Sequence, residues 1–498
     1  MTGDRLPRRT DRAAIRSLLD VGMVFSGRLG GVLLNLLFLP LYDALLGPQV
    51  FGAVAIILSL VSFFMVFDFG AATLVATDIA ASGDDDSARA AAGRDWRRSE
   101  WIILGVAVIG MAAALVLDAI RQFQAFSPAE MVLAALLIGA MMLLNVGQAA
   151  LNGLQAYRLN NGLMLAGAIA RGLVTVLVLR DIEASLMAFL AAQALVSAMH
   201  YAVLRWIVSS RLSTGQDGLF EHVAMLRLWR RMRPLIAYTL AGALVMQVDK
   251  PMVAGFFSLE MAGRWFLATT YALTPIAVLA GPLNQYFYPK LVAAQTDPVA
   301  ALTVGRRFQV AVSLGVTAPT VVLVYFAPAV LSLWLPHADD IGVIAPIAQL
   351  LVAAAAVGAT GYLPTAWLLA SGDRFWLARL SIVMTMIVIG LLLVAGLQQD
   401  IMLVAGVYAV YHVVVCLLLW FRMLRSWPGQ KAGADLVLRC WIGPVLIAGV
   451  GTALVCMAAG GFPVVVWVQV LVASVAGAIM TLVVACLWWF RYSTRPHS

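Results

Sequence analysis

The chain is 498 residues long, 62% hydrophobic and only 12% charged, with a mean hydropathy of +0.93; a soluble domain is about 45–50% apolar and about 25% charged. That balance excludes a water-soluble fold and leaves a polytopic membrane protein. The net charge of +8 does not point to nucleic acid, because the basic residues are divided among loops instead of forming one patch interleaved with stacking aromatics.

In chain order, residues 1–16 form a basic tail, within the N-terminal stretch RLPRRTDRAAIRSLLD. It resembles the start of a signal peptide, but the apolar run that follows continues to about Leu46 without a small-x-small cleavage site, so an uncleaved first span is expected. Apolar runs able to cross about 30 Å of hydrocarbon then fall near 17–44, 49–71, 100–120, 129–151, 161–180, 184–207, 234–256 and 263–287. Further runs lie near 307–333, 342–370, 376–397, 401–424, 439–459 and 463–489, about fourteen in all. The turn signals GPQ and SLE divide the merged runs 17–71 and 234–287.

Placing the N-terminus in the cytoplasm puts roughly 27 of the 33 Lys and Arg on that side and about three (Arg121, Arg180, Arg264) on the other, as the positive-inside rule demands. Both ends are therefore expected to be cytoplasmic. The segment 209–233, ending AMLRLWRRMR, reads as a basic amphipathic helix at the interface.

Laying PLYDALLGPQVFG on PMVAGFFSLEMAG superposes Pro40 on Pro251 and Gly52 on Gly263, and further along Gly70 on Gly281. An even number of helices per copy preserves orientation, so these would be parallel repeats about an axis along the membrane normal. The expected fold is all-α, with two six-helix lobes, 17–208 and 234–424, in pseudo-twofold relation, linked by 209–233 and followed by a helix pair within 425–498.

Arg28, Asp68, Arg171, Asp249 and Lys250 are the charged groups that would be costly inside spans. Each costs about 2.5–3.5 kcal/mol at the bilayer centre and should face an interior or a wet cavity. Arg28 and Asn35 share one helical stripe, with Gly31 between them. Arg28 reads as contact with an anionic ligand, as half of a structural ion pair, or as a snorkelling residue. Gly167, Arg171 and Thr175 form a second small and polar stripe, with Arg171 a further ligand candidate. Asp249 and Lys250 are adjacent and point about 100° apart, so at most one should face a cavity directly. Pro251 after them predicts a bend. Asp249 reads as a site for H⁺ or Na⁺, as a charge partner that switches between states, or as a fixed partner of an Arg on another helix, and Asp68 as an interfacial cap or a gate.

Asp43, His337, Asp339, Asp340 and Asp400 are expected to be solvated, and His200 and His412 to be hydrogen-bonded helix-contact residues. Trp96, Trp101, Trp229, Trp427, Trp488 and Trp489 fit an interfacial belt. The four cysteines, Cys416, Cys440, Cys456 and Cys486, show neither a CxxC pair nor metal-ligand spacing. With no Walker loop, HExxH or GxSxG, no enzymatic activity, metal or cofactor is expected.

Two segments carry a family resemblance. LLGPQVFGAVAIILSLVSFFMVFDFGAATLVAT resembles the second helix of polysaccharide and O-antigen flippases, opened by a GPxxFG turn and closed by D-x-G. MQVDKPMVAGFFSLEMAGRWFLATTYALTPIAVLAGPLNQYFYPKL resembles their seventh and eighth helices, although Arg264-Trp265 replaces the smaller polar or Tyr residue of many relatives. These proteins belong to the multidrug/oligosaccharidyl-lipid/polysaccharide (MOP) exporter superfamily. The resemblance implies two six-helix lobes around a cavity, and alternating access by rocking about the helices bearing Pro40 and Pro251. It implies ion-coupled flipping of an undecaprenyl-diphosphate-linked glycan across the bacterial inner membrane for surface or exopolysaccharide synthesis, alongside other assembly proteins. Arg28, then Arg171 and Lys250, would meet the diphosphate. A multidrug antiporter would favour a carboxylate-rich cavity, and a non-transporting scaffold is the remaining alternative.

Overall fold

A computed structural model describes residues 9–83, 85–121, 126–212, 222–336, 338 and 340–493. Among these the chain is helical, with no strand. Two compact units divide it, residues 1–247 and 248–498.

The first unit holds α1 (Arg9–Val66), α2 (Ala71–Ser82), α3 (Asp86–Arg121), α4 (Pro128–Gly153), α5 (Tyr157–Asp181), α6 (Leu186–Arg211) and α7 (His222–Gln247). Helix α1 carries two of the expected spans in one element. The GPQ signal is a kink in it and not a loop: Gly47 alone leaves helical backbone, at φ 74° and ψ 164°, a conformation that needs glycine. Pro48 then restarts the helix, its fixed φ suiting a first turn. Pro40 stands in regular helical backbone.

Helix α4 begins with a capping box, in which the Glu130 carboxylate accepts from Ser127 N at 2.7 Å and Ser127 Oγ accepts from Glu130 N at 3.3 Å. Lipid offers no hydrophobic drive for helix association, so close packing over small residues carries it. The Leu204 side chain of α6 sits against Gly147 of α4, and the Phe38 ring of α1 against Gly172 of α5. The unit's core gathers Trp96, Ile103, Met142, Leu144 and Leu204, joined by Leu228 and Met232 of α7. The basic segment expected to lie apart at the interface is thus the first half of α7, with Leu228 and Met232 buried and Leu226 and Trp229 exposed.

The second unit holds α8 (Asp249–Phe256), α9 (Leu259–Ala294), α10 (Pro298–Tyr325), α11 (Ala327–Trp334), α12 (Ile341–Ala359), α13 (Tyr362–Ala370), α14 (Arg374–Leu397) and α15 (Ile401–Ser426). It ends with α16 (Gln430–Asp435), a π-helical stretch over Leu436–Ile442, α17 (Gly443–Gly460) and α18 (Val466–Ser493). The SLE signal is an N-cap, Ser258 Oγ accepting from Met261 N at 3.0 Å. Helices α17 and α18 pack on each other and on α10. The hairpin α5–α6, of 25 and 26 residues, has a counterpart of similar length in α14–α15, of 24 and 26 residues.

Eleven stretches of the described residues are long and apolar enough to cross a membrane, one of them the 50-residue Leu33–Ser82. The expected spans 100–120 and 234–256 fall in α3 and in α7 with α8, whose side chains are only partly among those described. The tryptophan belt needs correction. Trp96 is fully buried, and Trp427 is buried against Trp367 at 4.2 Å between ring centroids. Both are core residues of their units; Trp101 and Trp229 are exposed. The side chain of Trp489 is outside the described residues.

Candidate functional site

A charge held within the membrane costs several kcal/mol unless another group answers it. In the second unit, carboxylates answer it. Helix α7 stops at Gln247 and α8 starts at Asp249, so the chain breaks three residues before Pro251, whose ring cannot donate to the carbonyl of Gln247. Asp249 and Lys250, both buried at the start of α8, pair with each other: Lys250 Nζ is 2.9 Å from Asp249 Oδ1. The other oxygen, Oδ2, accepts from Trp265 Nε1 at 2.7 Å. The angular argument that separates adjacent residues fails here because a lysine stem of four carbons folds back over its own turn. Lys250 is therefore neutralised in place, and the fixed partner of Asp249 is its neighbour, not an arginine of another helix.

The residues Arg264-Trp265, by which the chain departs from its look-alikes, are both structural. Trp265 is fully buried and holds Asp249; Arg264 is buried and its Nε is 2.5 Å from Asp340 Oδ2. Asp340 is thus an ion-pair partner and not a solvated loop residue. The second expectation of solvation to fail is Asp43, which is buried. Asp400 caps α15, accepting from Met402 N at 2.8 Å. His337 and Asp339 are outside the described residues.

In the first unit Asp68 is a cap. Its Oδ1 accepts from Gly70 N at 2.9 Å and its Oδ2 from Ala72 N at 3.0 Å and Asn145 Nδ2 at 3.3 Å, which closes the turn between α1 and α2 and ties it to α4. Glu100 is engaged by the Tyr201 hydroxyl and by Arg205 Nε at 3.3 Å. At the end of α2, Asp78 holds Arg231 of α7 through two hydrogen bonds, 2.6 and 2.8 Å, which push the guanidinium pKa above its ordinary value.

Arg171 differs from all of these. It is half-buried on α5, and among the described residues no carboxylate pairs with it. Its surroundings are polar and neutral. Its charge reaches the Tyr42 hydroxyl on α1 and the His200 imidazole on α6. Thr175, one turn along α5, lies beside the Tyr42 hydroxyl, and Gln193 Nε2 is 3.5 Å from that hydroxyl. Tyr42 is fixed by the edge-on ring of Phe189 at 5.2 Å and by Phe38 at 6.2 Å. The His200 ring is seated against Gly167, one turn before Arg171 on the same face, where a Cβ would overlap the ring. Among the described residues, neither ring nitrogen of His200 has a hydrogen-bond partner.

Helix α1 runs parallel to α5, with Gly30 against Leu165 and Phe38 against Gly172. Asn35 falls between these contacts and is exposed, and the side chain of Arg28 is outside the described residues. Sequence periodicity found Arg171 and Thr175. It missed Tyr42 and Gln193, which are uncharged and sit in otherwise apolar runs, and it ranked His200 as a satisfied contact residue.

The unit also has an apolar cavity of about 370 Å³ between α1, α3 and α4, lined by Leu60, Phe64, Val106, Met111, Met131 and Ile138. Its one ionisable lining residue is Glu130, already closed in the capping box. This cavity suits hydrocarbon and not an anion.

The sequence matches no protein-family model and no curated protein. Solved structures do resemble it. Lipid II flippase MurJ in an inward closed conformation superposes with a TM-score of 0.70 at 12% identity, over 95% of this chain and 99% of that one. An inward-facing multidrug resistance MATE transporter of the MOP superfamily gives 0.64 at 14%, over 79% and 95%. A MOP superfamily transporter from Pyrococcus furiosus gives 0.58 at 16%, over 82% and 95%. The chain is a multi-pass membrane protein with the fold of MATE transporters and of MurJ.

Proposed function

We propose that the protein is a flippase that moves an undecaprenyl-diphosphate-linked oligosaccharide across the bacterial inner membrane by alternating access, with both termini cytoplasmic. The observation that carries this reading is Arg171, a cation in a membrane-spanning helix with neutral hydrogen-bonding neighbours and no carboxylate among the described residues. Such a group is stabilised when an anion arrives, and a diphosphate supplies the charge and the acceptor oxygens. A drug antiporter that accepts cations would be repelled by it. The likeness to a lipid II flippase supports the same reading.

Arg28 and Asn35, on the helix packed along α5, are proposed to extend the head-group contact. Asp249 and Lys250 are proposed to serve the conformational cycle as a neutral pair beside the break at Val248, with Pro40 and Pro251 as flexing points. Coupling to H⁺ or Na⁺ and association with other polysaccharide assembly proteins are part of the proposal.

The test is leaflet exchange of a fluorescent lipid-linked oligosaccharide by the purified chain in proteoliposomes, with and without imposed H⁺ or Na⁺ gradients. Exchange should occur, and Arg171→Gln and Arg28→Ala should each lower it by about tenfold or more, the loss of one charge-assisted hydrogen-bonding group. Absence of exchange under every gradient would favour a scaffold, and unchanged exchange in both variants would remove the head-group role.

A further inference from the structure

His200 presents a problem that no structural role resolves. Both ring nitrogens are buried without a hydrogen-bond partner among the described residues. A neutral imidazole has one donor and one acceptor, so the ring forgoes both of its hydrogen bonds. Its packing on Gly167 needs only its shape, which an apolar side chain would also supply. The nearest charge acting on it is positive, that of Arg171. Two groups that repel when both are charged are held on neighbouring helices, His200 against Gly167, one turn before Arg171, beside Tyr42, Thr175 and Gln193.

We propose that Arg171 and His200 together form a proton-linked anion site: a phosphate-class anion binds across the two side chains, and His200 takes up a proton from solvent as it does so. The anion supplies what both residues lack. Its negative charge offsets Arg171 and permits a second positive charge beside it, and its oxygens accept the N–H groups of an imidazolium, which offers two donors where the neutral ring offers one. By linkage, a ligand that prefers the protonated site takes up a proton on binding, and its affinity falls as pH rises through the histidine range.

The groups around the ring are compatible with this assignment. Helix α5 contributes Arg171, and α1 contributes Tyr42 and, next to it, the buried Asp43. The Arg28 side chain of α1 is outside the described residues. On α3, Glu100 is engaged by Tyr201 and Arg205, both on α6. Helix α4 has one ionisable residue, Glu130, closed in its capping box. The inference deepens the flippase reading, since the same Arg171 serves both, but it concerns binding and is tested apart from transport.

Calorimetry on the full chain in detergent, with inorganic diphosphate and separately with a short prenyl diphosphate, tests it. Titration in buffers of different ionisation heats counts the protons exchanged. Wild type should take up about one proton per anion, and its affinity should fall by about tenfold between about pH 5.5 and about pH 8. Arg171→Gln should lose binding at every pH, and His200→Gln should keep the weaker binding and lose the pH dependence. Binding of either probe with proton uptake supports the site. If only inorganic diphosphate binds, the site stands as one for free anions and the lipid-linked substrate is excluded. If only the prenyl compound binds, the anion is a lipid head group. No binding of either probe, binding without proton uptake, or unchanged pH dependence in His200→Gln overturns the proposal.

Discussion

The two units differ in how they treat the cations that lie deep in their apolar helices. In the second unit each buried cation described has a carboxylate beside it: Lys250 has Asp249, and Arg264 has Asp340. In the first unit Arg171 stands among a phenol, a hydroxyl, an amide and an imidazole. The same sequence signal, an ionisable residue within an apolar run, therefore has two structural meanings. A closed pair is a joint, whose loss destabilises the fold. An open cation is where we propose that a ligand binds, so that its loss should spare the fold and remove a function.

That contrast can be broken most directly at Asp249. Lys250→Ala leaves a carboxylate buried without its counter-charge and should cost about 3–5 kcal/mol, read as a large drop in thermal midpoint or in folded yield in detergent. Replacing both residues with leucine should restore most of the loss; if Lys250→Ala melts like wild type, the pair is not a joint. The next largest effect is functional. Arg171→Gln should lower transport by about tenfold or more, as proposed above, yet leave the thermal midpoint unchanged or higher, because no carboxylate is orphaned. A midpoint that falls as far as that of Lys250→Ala would put Arg171 among the joints.

Smaller effects sharpen the ranking within the joints. Trp265→Phe keeps the ring and removes the indole donor to Asp249, at an expected cost of about 1.5–3 kcal/mol for a hydrogen bond to a charged group, measured by denaturant or thermal unfolding. Arg264→Ala should cost about 1–3 kcal/mol, less than Lys250→Ala, because the partner Asp340 is partly exposed and water can take the place of the guanidinium. Arg231→Gln should cost least, about 0–1 kcal/mol, since the Arg231 side chain is itself exposed and water can replace it. That difference should shrink as salt is raised, whereas the cost of Lys250→Ala should not.

Much of the architecture was legible in the sequence. Composition alone placed the chain in a membrane, and apolar run lengths located most of the spans, though not the helix ends, because a span must satisfy its own backbone and cover a fixed thickness of hydrocarbon. Local chemistry placed the turns: Gly47-Pro48 bends α1, Ser258 caps α9, and Asp68 caps α2. The costly residues were also visible one by one. Their partners were not. Periodicity assigns a residue to a face of its helix, but it cannot say that Lys250 folds onto the residue before it, that Trp265 reaches Asp249 from another helix, or that Arg264 meets Asp340. Nor could it show that Tyr42, Gln193 and His200, on two different helices, gather about Arg171 while no acid does. The sequence by itself determined which groups are expensive to bury. Only the tertiary structure decided which of them are cancelled, because side-chain reach and neighbours distant in the chain set pairing, and helical phase sets neither.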